Sequence, residues 1–217
     1  MNPTIACVVC ENRNFTLFYK GHFVSDNSFL AATDIIDWDT PAIQQLAAEL
    51  AAGDSDPIAI ALRSFEWVRD EIKHSSDFKL NPVTCKASEV LAAGTGYCYA
   101  KSHLLAALLR ANGIPAGLCY QRLSIDGAGP PFCLHGLNAV QLPGISWYRI
   151  DARGNRADVH AEFDPPHERL AFAIQFEGEF NLPEIYAEPL PAVVNALQAH
   201  ATWDAVLANL PDVEPNV

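Results

Sequence analysis

The chain has 217 residues, half of them apolar and 18% charged, which suits a globular protein able to bury a sizeable core. Its 26 acidic residues outnumber 14 Lys and Arg, and the net charge of -12 argues against a nucleic-acid or anionic-membrane partner while favouring a neutral or basic substrate. No apolar run reaches the roughly 18 residues that span a bilayer and the opening residues lack a secretory-signal pattern, so the cytoplasm is the expected compartment.

Residues 4–9 and 14–24, rich in Val, Ile, Phe and Thr, are predicted as two strands. Cys7 and Cys10 have metal-ligand spacing, but no second CxxC or HxxxH pair supplies the rest of a four-ligand site, so no metal and no cofactor are expected. With a reducing compartment expected, the six cysteines are read mainly as free thiols.

From Thr40 the pattern turns helical. Thr40-Pro41 places a cap and a first-turn proline before Ile43, Leu46, Ala47 and Leu50, and Gly53 stops the helix. Asp56-Pro57 repeats the signal for a second helix to about Ile72, followed by a loop with Asn81-Pro82. Residues 87–92 form a short helix ending at Gly94. A third and more regular helix follows Gly96-Tyr97-Cys98, with Leu104, Leu105, Leu108 and Leu109 on one face and Asn112-Gly113 then Pro115 as its end. This helix is expected to be the buried central one.

Beyond Pro115 the period shifts to two. Leu118 to Leu123, Leu134 to Leu142 and Ser146 to Asp151 are predicted antiparallel strands, the last two joined across Pro143-Gly144. An edge strand at 170–176 and helices near 191–209 complete the chain. Helices followed by strands make the fold class α+β. Expected boundaries are N-terminal strands and helix over 1–55, a core over 56–160, and a C-terminal loop and helices over 161–217 that complete the same domain.

Three residues carry chemistry. Cys98 stands in the first turn of the central helix, where unpaired N–H groups and the positive end of the dipole stabilise a thiolate. Gly94 and Gly96 are expected to let a substrate backbone approach it. His135 lies near the start of one strand and Asp151 closes the next. With Leu142-Pro143-Gly144 as a three-residue loop, Gln141 opposes Ile145 and His135 falls opposite Asp151 on one face; a two-residue loop would put them on opposite faces. Taken singly, each has a plainer reading: a packed cysteine, a satisfied strand histidine, a turn aspartate. Together, in an order that sets them on facing elements, they suit a nucleophile, its base and the group that orients the base.

The run Val90 to Cys98, with Ala100, Leu104-Leu105, Ala107 to Arg110 and Gly113-Ile114-Pro115-Ala116, resembles the core motif of bacterial transglutaminase-like proteins, and His135, Trp147 and Asp151 match its remaining signatures. The resemblance covers about residues 58–155. It implies a papain-like fold with the central helix packed on an antiparallel sheet. It also implies a Cys98-His135-Asp151 triad and acyl transfer on amide bonds of a peptide or protein substrate. Hydrolysis, transglutamination and deamidation are the family's usual outcomes; peptide or amide hydrolysis is the favoured reading, with an inactive peptide-binding module or a thiol redox protein as alternatives. Where the family often has Ala-Trp and an acidic residue after its histidine, this chain has Gly136-Leu137-Asn138, which predicts a different substrate-facing wall. His74 and Ser75 stand where many relatives carry an aromatic residue, and no role is assigned to them.

Lesser candidates have structural readings. His103, about 140° around the helix from Cys98, is a packed or exposed helix residue, and Lys101 and Ser102 are similar, with a pocket edge as their alternative. Arg153 belongs to a turn, with pairing to a carboxylate or contact with substrate as alternatives. Asp164-Pro165-Pro166-His167 is a rigid loop. Cys133 shares the strand face of His135, and one of Tyr97 and Tyr99 packs on the sheet. The Gly/Pro-rich loop 124–132 suits a lid. Oligomeric state has no signal in the sequence.

Overall fold

The structure, a computed structural model, describes residues 27–213. The two predicted N-terminal strands and the Cys7–Cys10 pair lie outside them. A 3-10 turn, Asn27–Leu30, leads to α1 (Pro41–Ala51), with Thr40 at its cap position and Ala52 and Gly53 in left-handed conformation at its end. The Thr40 hydroxyl makes no capping bond; proline at the first turn sets the start instead. α2 (Pro57–Glu71) is capped as the sequence predicts: the Asp56 carboxylate accepts the Ile58 N–H at 3.0 Å, a bond worth about 1 kcal/mol.

Next come β1 (Lys73–His74), α3 (Ser75–Phe78), α4 (Ala87–Ala93), β2 (Thr95–Gly96) and α5 (Cys98–Ala111). The two short strands pair in parallel, with His74 beside Gly96. Then follow β3 (Ala116–Ser124), β4 (Phe132–Leu142), β5 (Ser146–Ile150), a hairpin of β6 (Glu162–Asp164) and β7 (His167–Arg169), β8 (Phe180–Asn181), and helices α6 (Pro191–Gln198) and α7 (Trp203–Leu207). The main sheet runs β5-β4-β3-β8, antiparallel throughout.

α5 is buried from Cys98 to Arg110, so its polar residues need partners inside the protein. Lys101 Nζ donates to the carbonyls of Arg69 and Ile72 where α2 ends. His103 Nδ1 meets the Cys85 carbonyl at 2.7 Å. Arg110 donates to the carbonyls of Ala31, Ala116 and Ala187. Leu104, Leu105, Leu108 and Leu109 join Leu134, Val140, Leu118, Tyr148 and Ile150 of the sheet in the core. On the sheet's other face Cys119, Leu137 and Ala139 lie under Trp147, Leu170 and Ile185. The architecture is therefore α+β and papain-like, a central helix on an antiparallel sheet.

The predicted edge strand at 170–176 is absent. The segment is mostly apolar, but its N–H groups are taken by carboxylates: Ala171 by Asp151, Gln175 and Phe176 by Glu179. The edge of the sheet is β8, pairing with Gln121 and Arg122. Asp164 and His167 face each other across the β6–β7 turn, away from the cleft described next.

Candidate active site

Cys98 is the first residue of α5, with Tyr97 as its N-cap. The two glycines before it do not open a path for substrate, contrary to expectation. Gly94 ends α4 at φ +65°, and a Cβ on Gly96 would lie 3.1 Å from Ala100 Cβ and 3.2 Å from Thr84 Oγ1. Gly94 thus serves the left-handed end of α4 and Gly96 the packing of the chain on itself.

The β4–β5 turn has the predicted three residues but begins one position later. Leu142 pairs with Ser146 and Asn138 with Ile150, so the register extended by one puts Leu137, not His135, opposite Asp151. The shift is two residues, which preserves the face. His135 and Asp151 are diagonal neighbours on one side, a separation long side chains bridge, and Asp151 Oδ2 lies 2.7 Å from His135 Nε2.

Asp151 is wholly buried, and its carboxylate also accepts the N–H groups of Arg153 and Ala171, each at 3.1 Å. Burial opposes its charge, yet His135 and these amides outweigh burial and hold the carboxyl below its ordinary range. The same balance acts on His135: desolvation disfavours the cation, but Asp151 and Cys98 prevail and push the imidazole up to about 10. With Nε2 committed to Asp151, Nδ1 is the nitrogen left for Cys98, the ring's other hydrogen-bond partner. The Phe172 ring stands edge-on to the imidazole, centroids 4.9 Å apart at 89°. The Gly136 amide points at Cys98 Sγ over 3.5 Å.

Gly136-Leu137-Asn138 does not form a substrate-facing wall. A Cβ on Gly136 would come within 2.9 Å of Tyr99 Cδ1 and 3.1 Å of its Cα, so glycine allows β4 to lie against the start of α5. Leu137 belongs to the sheet's outer face, and Asn138 is buried with its amide nitrogen on the Ser102 and Gly117 carbonyls.

Cys98 and His135 open into a cleft of about 570 Å³ whose apolar wall includes Leu123, Ile125, Phe172, Phe176 and Leu207. Cys133 lines it, on the face of His135 as expected. Arg153 lines it too and forms a two-pronged ion pair with Asp77, at 2.7 and 3.0 Å. Tyr97 and Tyr99 are tied by their hydroxyls to the carbonyls of Trp203 and Leu134. Ser124, in the loop 124–132, accepts the N–H groups of Ala128 and Gly129. A larger groove of about 840 Å³, between the ends of α1 and α5 and the β4–β5 turn, contains no nucleophile–base pair.

His74 and the Gly136 amide also belong to this site, and sequence reading gave neither a role. His74 is buried beside Tyr97, its ring 5.5 Å from the tyrosine ring, with Nδ1 3.1 Å from Ser76 Oγ. Burial, then the positive charges of Arg153, Lys101 and His135, hold its imidazole well below the ordinary histidine value. The four described cysteines are free thiols, and burial pushes Cys85 up to about 11 and Cys119 and Cys133 to about 12. Among the described residues, no group of three or more His, Cys, Asp or Glu is arranged to hold a metal ion, and no helix is long and apolar enough to cross a membrane.

A search among curated proteins finds no match. Among solved structures, the chain is similar to a candidate cysteine protease from Cytophaga hutchinsonii, at 22% identity and TM-score 0.47, over 58% of this chain and 40% of that one. It is also similar to the periplasmic domain of TgpA from Pseudomonas aeruginosa, at 21% identity and TM-score 0.39, over 52% of this chain and 42% of that one. The chain thus spans well under half the length of either. The family model described as the transglutaminase-like superfamily matches residues 44–152, half of the chain, from within α1 to just past Asp151. The chain belongs to the transglutaminase-like superfamily.

Proposed function

We propose that this protein is a thiol-dependent acyl-transfer enzyme in which Cys98 attacks an amide carbonyl, His135 handles the proton and Asp151 orients and charges His135. The observation that carries the reading is the chain of contacts from the Asp151 carboxylate through both sides of the His135 ring to Cys98 at a helix start. Attack forms the S–C bond. Collapse of the tetrahedral adduct breaks C–N, the leaving amine takes the His135 proton, and a thioester remains for water or an amine to resolve. The apolar walls of the cleft suit a peptide or protein substrate, and hydrolysis is the favoured outcome. Four free thiols accord with a reducing compartment, and we place the protein in the cytoplasm on that basis.

The test is incubation with a peptide library and a labelled primary amine, read by mass spectrometry, with iodoacetamide alkylation followed in parallel at every cysteine. Peptide cleavage without amine incorporation, and alkylation at pH 7 of Cys98 ahead of Cys85, Cys119 and Cys133, is the expected result. Alkylation at Cys98 should slow at least tenfold in His135→Ala, about 1.4 kcal/mol in barrier. Amine incorporation without cleavage would make the protein a transferase. Neither reaction, with Cys98 no faster than Cys133, would leave a peptide-binding module.

A further inference from the structure

Addition of Cys98 Sγ to a carbonyl puts negative charge on its oxygen, and a water-excluded site needs fixed donors there. The N–H groups at the start of α5 have no partners within the helix and supply one direction of approach. The residue beside them across the β1–β2 pairing is His74, which adjoins Gly96, two positions before the nucleophile. His74 lines the same cleft as Cys98 and His135, and its ring is held in place by Tyr97 on one side and Ser76 on the other.

Among the described residues the ring makes one hydrogen bond, through Nδ1. Nδ1 lies 3.1 Å from Ser76 Oγ, and the Ser76 hydroxyl has no other partner among the described residues. Asp77 Oδ1, at 3.7 Å from Nδ1, is beyond hydrogen-bond distance, and its carboxylate is engaged by Arg153 and Arg156. With Ser76 donating to Nδ1, the ring's own proton sits on Nε2, and this is the tautomer the proposal takes. Nε2 has no partner among the described residues and is not fully enclosed, and His74 lines both the Cys98 cleft and a smaller cavity beside Lys101 and Asp70. Burial and the surrounding cations keep this imidazole neutral, so one ring nitrogen carries a proton and the other is an acceptor.

We propose that His74 is the side-chain donor of an oxyanion hole, its Nε2–H and the Cys98 backbone N–H binding the carbonyl oxygen as Cys98 Sγ adds to the carbon. The proposal rests on the reading of Cys98 as nucleophile. The S–C bond forms as the C=O π pair moves onto oxygen, where the two donors hold it. When the pair returns, the bond to the leaving group breaks, that group takes the His135 proton, and His74 keeps its own proton throughout. Its role is thus distinct from that of His135: it stabilises charge and transfers none.

Two reactions at the same sulfur separate these roles. Acylation by p-nitrophenyl acetate passes through an oxyanion; alkylation by iodoacetamide is a displacement at carbon and builds none. In the full chain, His74→Ala is expected to slow acylation of Cys98 about 100-fold, with the loss in the maximal rate and not in half-saturation. Alkylation of Cys98 should be unchanged, which also shows the site is folded. His74→Gln, which returns an N–H near the Nε2 position, is expected to recover acylation to within about tenfold of wild type. Equal losses in both reactions, with no recovery in His74→Gln, would make His74 a structural residue and overturn the proposal. Unchanged acylation in His74→Ala would overturn it too. If wild-type Cys98 shows neither reaction above the background of Cys133, the nucleophile reading itself has failed and takes this proposal with it.

Discussion

At the scale of single residues, the site is decided by whether Asp151 outweighs burial at His135. Desolvation alone would lower the imidazole, as it does at His103, which is buried against a carbonyl and pulled down to about 4. His135 differs in having a carboxylate at 2.7 Å, and it is pushed up to about 10. The sign for stability follows: a histidine raised above its unfolded value of about 6.5 contributes stability that is fully present below that pH and is lost as pH rises through about 10. In the proposed mechanism, acylation by an amide substrate needs the proton on His135 for its leaving amine, and it should fall over the same alkaline limb. In Asp151→Asn the charge is gone, so the limb in a pH–rate profile is expected to move down from about 10 toward 6.5, with a lower rate at pH 8. A limb that stays near 10 in this variant would mean that Asp151 does not set the proton affinity of His135.

At the scale of elements, what was legible in the sequence was what local pattern encodes. The start of α5, the parity of the β4–β5 loop and the caps of α2 and α4 depend on residues within a few positions of one another, and Cys98, His135 and Asp151 come together in the structure. The β4–β5 register slid by two and cost nothing, because strand faces repeat with that period. His74 was not legible, since its place depends on β1 pairing with β2 some 22 residues away. Nor was the course of residues 170–176, where an apolar run is kept out of the sheet by carboxylates that capture the backbone. Gly136 looked like a departure at the substrate wall, but its meaning lies in how two elements approach. Gly136→Ala sets a methyl against the backbone of Tyr99, so β4 must retreat from α5. The expected cost is about 1–3 kcal/mol in urea unfolding, with slower acylation of Cys98 because the Gly136 N–H is drawn away from Sγ. Wild-type values for both would show that β4 does not position Cys98.

At the scale of the whole molecule, α5 organises its surroundings by feeding donors to carbonyls that end neighbouring segments, and Arg110 does the most of this. Its guanidinium joins the segment before α1, the first residue of β3 and the segment before α6 through Ala31, Ala116 and Ala187. Burial lowers its pKa to about 10 against the attraction of Glu188, so it remains a cation at neutral pH. A buried cation is costly, and a well-packed apolar replacement removes that cost. Against this, Arg110→Met strips Ala116, which is fully buried, of two charge-assisted bonds and cuts the ties to both other segments. Bonds of this kind contribute about 1.5–3 kcal/mol each, so the loss should outweigh the relief and lower stability by about 2–4 kcal/mol in denaturant unfolding. Arg110 also lies 12 residues along α5 from Cys98, roughly 18 Å, and the intervening helix is buried on all sides. Alkylation of Cys98 below the unfolding transition should therefore match wild type. A slowed Cys98 with unaltered stability would reverse the division of labour, making the far end of α5 part of the catalytic apparatus and not the clamp that holds three segments together.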